Sequence, residues 1–148
     1  MSRILFRADV SPSVGMGHLM RCVALARGID FHGGHVLITR PDDRVSDAIG
    51  PAKKAGWNVE VLEPNLSDTN DAAATALVAS ELGADIIVTD LCSRIFIDEP
   101  DRLVRYHRAL CRNLSLPVIS IEDCRMSGFG SDVAVLPYNC GDPDIADR

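Results

Sequence analysis

A histidine directly follows two closely spaced glycines in the stretch SPSVGMGHLMRC, which runs from Ser11 to Cys22. Gly15 and Gly17 permit a ligand to approach the backbone closely, and His18 falls at the start of a predicted helix, whose free N–H groups and dipole favour an anion. The same positive end disfavours imidazolium and leaves His18 neutral, the state that a general base needs near neutral pH. The spacing alone is equally compatible with a glycine-shaped turn followed by an ordinary polar helix residue.

The rest of the chain predicts the elements that position this stretch, because short apolar runs alternate with segments of helical period. The predicted strands are RILFRAD, HVLITR, WNVEVLE, ADIIVTD, LPVISIED and DVAVLP. The predicted helices span 18–29, 42–54, 68–82 and 99–114. We expect three of the helices to bury one face each: Leu19, Cys22, Val23, Ala26 and Ile29 in the first, Ala74, Leu77, Val78 and Leu82 in the third, and Leu103, His107, Leu110 and Leu114 in the fourth. Right-handed crossovers then predict an α/β, Rossmann-like, doubly wound and mainly parallel six-stranded sheet.

Ligands of such sheets bind outside the carboxyl ends of the strands. Polar residues collect there in this chain, as expected for a site in which several polar groups converge on one crevice. They are Asp9 and Ser11 after the first strand, Asp90 at the end of the fourth, Asp123 after the fifth and Asn139 after the sixth. We therefore expect residues 1–138 to form one domain with its site at this edge, and residues 139–148 to be a linker-like tail.

Composition excludes several classes of function. The chain has 148 residues and a net charge of −6, which would repel a nucleic-acid backbone. No apolar run approaches the roughly 20 residues of a membrane span, and no signal-peptide core is present, so we expect a cytoplasmic protein. The five cysteines contain no C-x-x-C pair and the sequence offers no clustered metal ligands, so neither a metal nor another cofactor is expected.

The stretch FRADVSPSVGMGHLMRCVALA, Phe6 to Ala26, resembles the N-terminal signature of the UDP-sugar hydrolases of pseudaminic acid biosynthesis and their spore-coat polysaccharide relatives. That signature reads R-x-D-x-S-x-x-x-G-x-G-H-x-x-R. The positions that match it are Arg7, Asp9, Ser11, Gly15, Gly17, His18 and Arg21. The resemblance continues more thinly through Asp90, Asp123 and Asn139.

This resemblance implies the N-terminal half of a GT-B glycosyltransferase fold used for hydrolysis. Water attacks the anomeric carbon of a UDP-activated diacetamido-trideoxy sugar, and UDP leaves. His18 is then the catalytic base, and the family implies no metal. The implied substrate-binding residues are Asp9, Ser11, Gly15, Gly17, Arg21, Asp90, Asp123 and Asn139.

Two departures from the family bear on this expectation. The family commonly has a tyrosine two residues after the fourth-strand aspartate, where this chain has Leu91 and then Cys92. The family also has a second, nucleotide-binding domain, so we expect this chain to need a C-terminal domain or a partner chain. Two alternatives stay open: an acceptor domain of a glycosyltransferase, in which His18 deprotonates a sugar hydroxyl, and a non-catalytic module that binds a sugar or a partner, which Leu91–Cys92 favours.

Overall fold

Strands and helices alternate along the chain in the computed structural model, which describes residues 3–10, 15–29, 36–39, 49–91, 99–121 and 130–135. The strands of the described residues are β1 (Ile4–Ala8), β2 (Val36–Thr39), β3 (Asn58–Val61), β4 (Ile86–Asp90), β5 (Val118–Ile121) and β6 (Val133–Val135). The helices are α1 (Gly17–Gly28), α2 (Gly50–Lys54), α3 (Asp68–Glu81) and α4 (Pro100–Arg112). The predicted alternation is confirmed for the described residues, whereas positions 42–48 of the predicted helix 42–54 lie outside them.

The described strands form one sheet in the order β3-β2-β1-β4-β5-β6. Its five strand pairings are all parallel. The chain therefore has the expected α/β class with a parallel, Rossmann-like sheet. The order reverses between β1 and β4, whose register places Ala8 opposite Asp90. A ligand crevice in such a sheet lies at this switch point, outside the carboxyl ends of the strands.

Helices cover both faces of the sheet. On one face, α1 and α2 bury Phe6 of β1 and Val88 of β4, and the ring of Phe6 stacks on that of Trp57 with centroids 5.0 Å apart. On the other face, α3 and α4 pack on Leu5 and Ile87. Alternate residues of β1 thus point to opposite layers, as in any strand. Burial of β4 on both faces, expected from its apolar sequence, is confirmed.

Most of the predicted buried positions are confirmed. In α1, all the expected residues are buried except Ile29, which is half exposed. In the fourth helix, the side chains of Leu103, His107 and Leu110 are buried as expected, and Leu114 packs against the core. The prediction for α3 was wrong at Leu77, which is 59% exposed, while Ala74, Val78 and Leu82 are partly buried against the core. The buried residues of α3 are Asp71, Ala72, Thr75, Ala76 and Ala79.

The N-terminus of α3 is fixed by side chains. The Ser67 hydroxyl accepts a hydrogen bond from the backbone N–H of Asn70 at 3.2 Å, as an N-cap residue does. Asp68 binds the guanidinium of Arg102 on α4, with Arg102 Nη2 2.9 Å from Asp68 Oδ1. The Asp68–Arg102 contact ties α3 to α4. None of the helices in the described ranges has the length and apolar character to cross a membrane.

Candidate active site

The turn between β1 and α1 depends on glycine at one position. Gly15 has a φ of +85°, a conformation that residues with a side chain rarely adopt. Gly17, the first residue of α1, has ordinary backbone geometry, and a Cβ built on it would meet no atom of the described residues within 4 Å. Among those residues, none blocks the approach of a ligand to the backbone at the start of α1. Ser11, which the sequence places in the same loop, lies outside the described residues.

His18 contacts a buried carboxylate. Its Nδ1 lies 2.6 Å from Oδ1 of Asp90. The side chain of His18 is 12% exposed and that of Asp90 is 0% exposed. The two residues meet because α1 packs on the face of the sheet to which Asp90 points. Ala8, which is opposite Asp90 on β1, points to the same face.

Arg21 holds the same carboxylate from the next turn of α1. Its Nε donates to Oδ2 of Asp90 and its Nη2 donates to Oδ1, each at 2.6 Å. This two-point contact matches the planar guanidinium to both oxygens of the carboxylate. Because a carboxylate only accepts hydrogen bonds, Nδ1 of His18 donates in the His18–Asp90 contact. In neutral His18 the lone pair is then on Nε2.

Asp90, expected from the resemblance to bind substrate, has both oxygens turned to protein side chains. They face His18 and Arg21, and the Asp90 side chain has no exposed surface. This geometry can orient the imidazole of His18. Cys22 lies beside this group, and burial, together with the charge of Asp90, raises the pKa of its thiol. The buried Cys22 thiol is thus held in its unreactive, protonated form.

Asp9, just beyond β1, is held by a second arginine. Arg7 Nη1 donates to Oδ1 of Asp9 at 2.7 Å, and the Asp9 side chain is 15% exposed. Arg7 itself is fully buried and also binds Asp71 of α3, with Nη2 2.8 Å from Oδ2. Tyr106 of α4 donates its hydroxyl hydrogen to Asp71 Oδ1 at 2.9 Å. Burial alone would lower the pKa of the Arg7 guanidinium, but the charges of Asp9 and Asp71 outweigh it and raise that pKa well above its usual value.

The sequence analysis missed the roles of Asp71 and Tyr106. One signal could have indicated such partners: Arg7 lies inside the apolar strand ILFRA, and a charged group buried in a core requires a counter-charge. Nothing in the local sequence of α3 or α4 indicates which residues supply it, because these helices are far from β1 along the chain.

The structure places the described members of the predicted site at the carboxyl ends of β1 and β4 and at the start of α1. The described members are Asp9, Gly15, Gly17, His18, Arg21 and Asp90, while Ser11, Cys92, Asp123 and Asn139 lie outside the described residues. Within the part of the chain that the structure describes, no three His, Cys, Asp or Glu side chains are grouped so that they could hold a metal ion. Chemically, the arrangement offers a histidine oriented by a carboxylate beside the N-terminus of a helix.

Comparisons with known proteins identify the fold only. No protein-family model matches the chain, and no curated protein matches it. Among solved structures, a variant of the short-chain dehydrogenase/reductase of Serratia marcescens is similar, with a TM-score of 0.52 and 16% sequence identity. The match covers 86% of this chain and 59% of that one, so the chain corresponds to less than two thirds of that enzyme. At this identity, the likeness shows a Rossmann-like α/β fold.

Proposed function

We propose that this chain is the sugar-binding and base-supplying part of an enzyme that hydrolyses a UDP-activated diacetamido-trideoxy sugar, with release of UDP. The observation that carries the proposal is the 2.6 Å contact between His18 Nδ1 and the buried carboxylate of Asp90. It occurs inside the motif by which the chain resembles the hydrolases of pseudaminic acid biosynthesis. The resemblance supplies the substrate class, and the geometry supplies a base of the kind that the reaction needs.

The proposed reaction is a displacement by water. Nε2 of His18 takes a proton from the water as its oxygen bonds to the anomeric carbon of the sugar. The bond from that carbon to the phosphate oxygen breaks, and UDP leaves with the electron pair. Asp90 stabilises the imidazolium that forms and keeps Nδ1 protonated, while Arg21 holds Asp90 in place. The free N–H groups at the start of α1 are suited to a phosphate oxygen.

In this proposal, four residues bind the sugar. They are Asp9 and, as the sequence resemblance implies, Ser11, Asp123 and Asn139. Gly15 and Gly17 let the backbone approach the substrate. The uridine nucleotide is held mainly by a second domain or a partner chain, as in the two-domain GT-B enzymes that the motif resembles. We accordingly expect the 148-residue chain by itself to bind UDP weakly.

The fold likeness to a dehydrogenase does not by itself favour dinucleotide binding. The dinucleotide fingerprint has a third small residue three positions after its second glycine, where it allows the helix to pack closely on the strand. Counted from Gly17, that position is Met20, which is 44% exposed. In addition, the side chain of His18, directly after Gly17, contacts Asp90. A sugar site therefore suits this loop better.

Product analysis tests the proposal. The chain, together with its nucleotide-binding domain, is incubated with the UDP-diacetamido-trideoxy sugar, and the products are identified by NMR. We expect UDP and the free sugar. A new glycoside formed only when a sugar acceptor is added would instead assign His18 to a glycosyltransferase. Substrate binding without turnover would favour a non-catalytic module.

A further inference from the structure

Four buried polar side chains form a cluster beneath the crevice, between β1, α3 and α4. Arg7, Asp71 and Thr75 have no exposed surface, and Tyr106 is 1% exposed. Arg7 binds Asp71 through Nε and Nη2, at 3.3 and 2.8 Å. The Thr75 hydroxyl lies 3.4 Å from Asp71 Oδ1 and 3.3 Å from the Tyr106 hydroxyl. We call these four residues the buried network.

The buried network reaches the crevice through Asp9. Arg7 uses Nη1 for Asp9 Oδ1, at 2.7 Å, while Nε and Nη2 face Asp71. One guanidinium thus joins a buried carboxylate to a partly exposed one. Asp9 follows β1 directly and lies on the α3–α4 side of the sheet, two residues beyond Arg7. The His18–Asp90 pair lies on the α1 side, so the two groups reach the switch-point crevice from opposite faces.

Stability alone does not account for such a cluster. Desolvating a guanidinium and a carboxylate costs about as much as their attraction returns, and apolar residues of similar volume often stabilise a core at least as well. What apolar residues cannot do is hold a second, partly exposed carboxylate, that of Asp9, in one orientation. Hydroxyl groups from two helices hold Asp71 in turn, so Asp71 fixes the orientation of the guanidinium.

We propose that the buried network is a positioning device for Asp9, and that Asp9 recognises neutral hydrogen-bond donors of the substrate, its hydroxyl or amide N–H groups. This inference rests on the proposed function for the identity of the substrate. An ionised carboxylate accepts hydrogen bonds from such donors and repels phosphate. Asp9 therefore marks the sugar side of the crevice, and the diphosphate lies away from it.

The first test needs no substrate. Tyr106→Phe removes the hydroxyl that binds Asp71 and keeps the aromatic ring, and Asp71 is joined to Asp9 by the guanidinium of Arg7. In isotope-labelled protein, we expect Tyr106→Phe to shift the side-chain carboxyl carbon resonance of Asp9. The control Arg102→Gln breaks another α3–α4 contact, to Asp68, and leaves that resonance in place. An Asp9 resonance unmoved by Tyr106→Phe overturns the positioning role, whatever the enzyme does.

The second test is a double-mutant cycle in kcat/KM for UDP release. Tyr106→Phe is expected to lower kcat/KM about tenfold, comparable to one lost hydrogen bond to a charged group. If Tyr106 acts through Asp9, the double variant Asp9→Asn with Tyr106→Phe has nearly the same kcat/KM as Asp9→Asn alone. The control Arg102→Gln keeps the wild-type kcat/KM. Additive effects would contradict the proposal. Thr75→Val replaces Tyr106→Phe if the latter does not fold. A wild-type protein that releases no UDP when it is supplied with a nucleotide-binding domain refutes the proposed function, and the Asp9 resonance then decides the positioning role.

Discussion

His18 and Asp90 are 72 positions apart in the sequence, and His18 Nδ1 lies 2.6 Å from Asp90 Oδ1. The contact exists because β1 and β4 are neighbours in the sheet and α1 packs over the face to which Asp90 points. Arg21, three residues after His18, binds both oxygens of the same carboxylate. Asp90 and Arg21 thus fix the tautomer and the orientation of the His18 imidazole, and each of the three residues can be changed separately.

Replacing His18 with glutamine separates base catalysis from structure. Glutamine keeps hydrogen-bonding capacity toward Asp90 but takes up no proton near neutral pH. We expect kcat for UDP release to fall about 10²- to 10⁴-fold, the usual contribution of a general base, with the melting temperature and the substrate affinity nearly unchanged. Leu25→Gln, at a partly exposed position of the same helix, is the matched control and keeps the wild-type rate. Unchanged turnover in His18→Gln would make His18 an ordinary helix residue.

Asp90→Asn tests the tautomer. The new amide can donate a hydrogen bond to Nδ1 of His18, which places the imidazole proton on Nε2 and removes the lone pair that accepts the proton from water. Turnover is expected to fall by about 10²-fold or more, as for loss of the base itself. Arg21→Lys keeps the positive charge but loses the two-point contact, so a smaller fall is expected. An Asp90→Asn enzyme as active as the wild type would rule out this arrangement.

The buried ion pair of Arg7 and Asp71 predicts unequal stability losses. Arg7→Met leaves the Asp71 carboxylate buried without its counter-charge and is expected to cost about 3–5 kcal/mol. Asp71→Asn costs less, because Arg7 keeps the Asp9 carboxylate at 2.7 Å. Combining Arg7→Met with Asp71→Leu should recover part of the loss. Urea unfolding of the three variants measures this order, and an Asp71→Asn protein less stable than Arg7→Met would contradict it.

The sequence was sufficient for the layout of the sheet, since its signals are local. The apolar run of β4 and the spacing of Leu19, Cys22, Val23 and Ala26 in α1 each predicted burial that the structure confirms. The rule that ligands bind at the carboxyl ends of parallel strands placed His18 and Asp90 at one edge. It did not show that Asp90 is buried behind His18, because that depends on how α1 packs on the sheet.

The buried face of α3 could be predicted only in part from its pattern of apolar residues. The pattern selected Ala74, Val78 and Leu82, which pack against the core, and also Leu77, which is exposed. It left out Asp71 and Thr75, which face the core. These two polar residues are buried because Arg7 and Tyr106 bind them, and those partners come from elements remote in the sequence. Polar residues whose hydrogen-bond partners come from other elements are therefore not recognised as buried when only the hydrophobic residues of one helix are counted.

His107 predicts how stability responds to acid. It is buried in α4, with Nε2 2.8 Å from the hydroxyl of Thr89, and burial lowers the pKa of its imidazole to about 4. Its ordinary pKa is about 6.5, so between these values the unfolded chain binds a proton that the folded protein does not. The stability that neutral His107 contributes is complete above its ordinary, unfolded-state pKa. It is lost as the pH falls through the lower pKa of the folded protein. The loss is about 3 kcal/mol at 1.36 kcal/mol per pKa unit.

His107→Gln removes that titration while keeping a hydrogen-bonding side chain toward Thr89. Other groups also titrate in acid, so the quantity to measure is the difference in free energy of unfolding between wild type and variant, by urea denaturation at pH values from neutral to acidic. At neutral pH we expect the variant to be the less stable protein, because glutamine fits the imidazole site imperfectly. As the pH falls, the difference should shift in favour of the variant by about 3 kcal/mol. A difference that does not change with pH would mean that His107 takes up its proton equally in the folded and unfolded states.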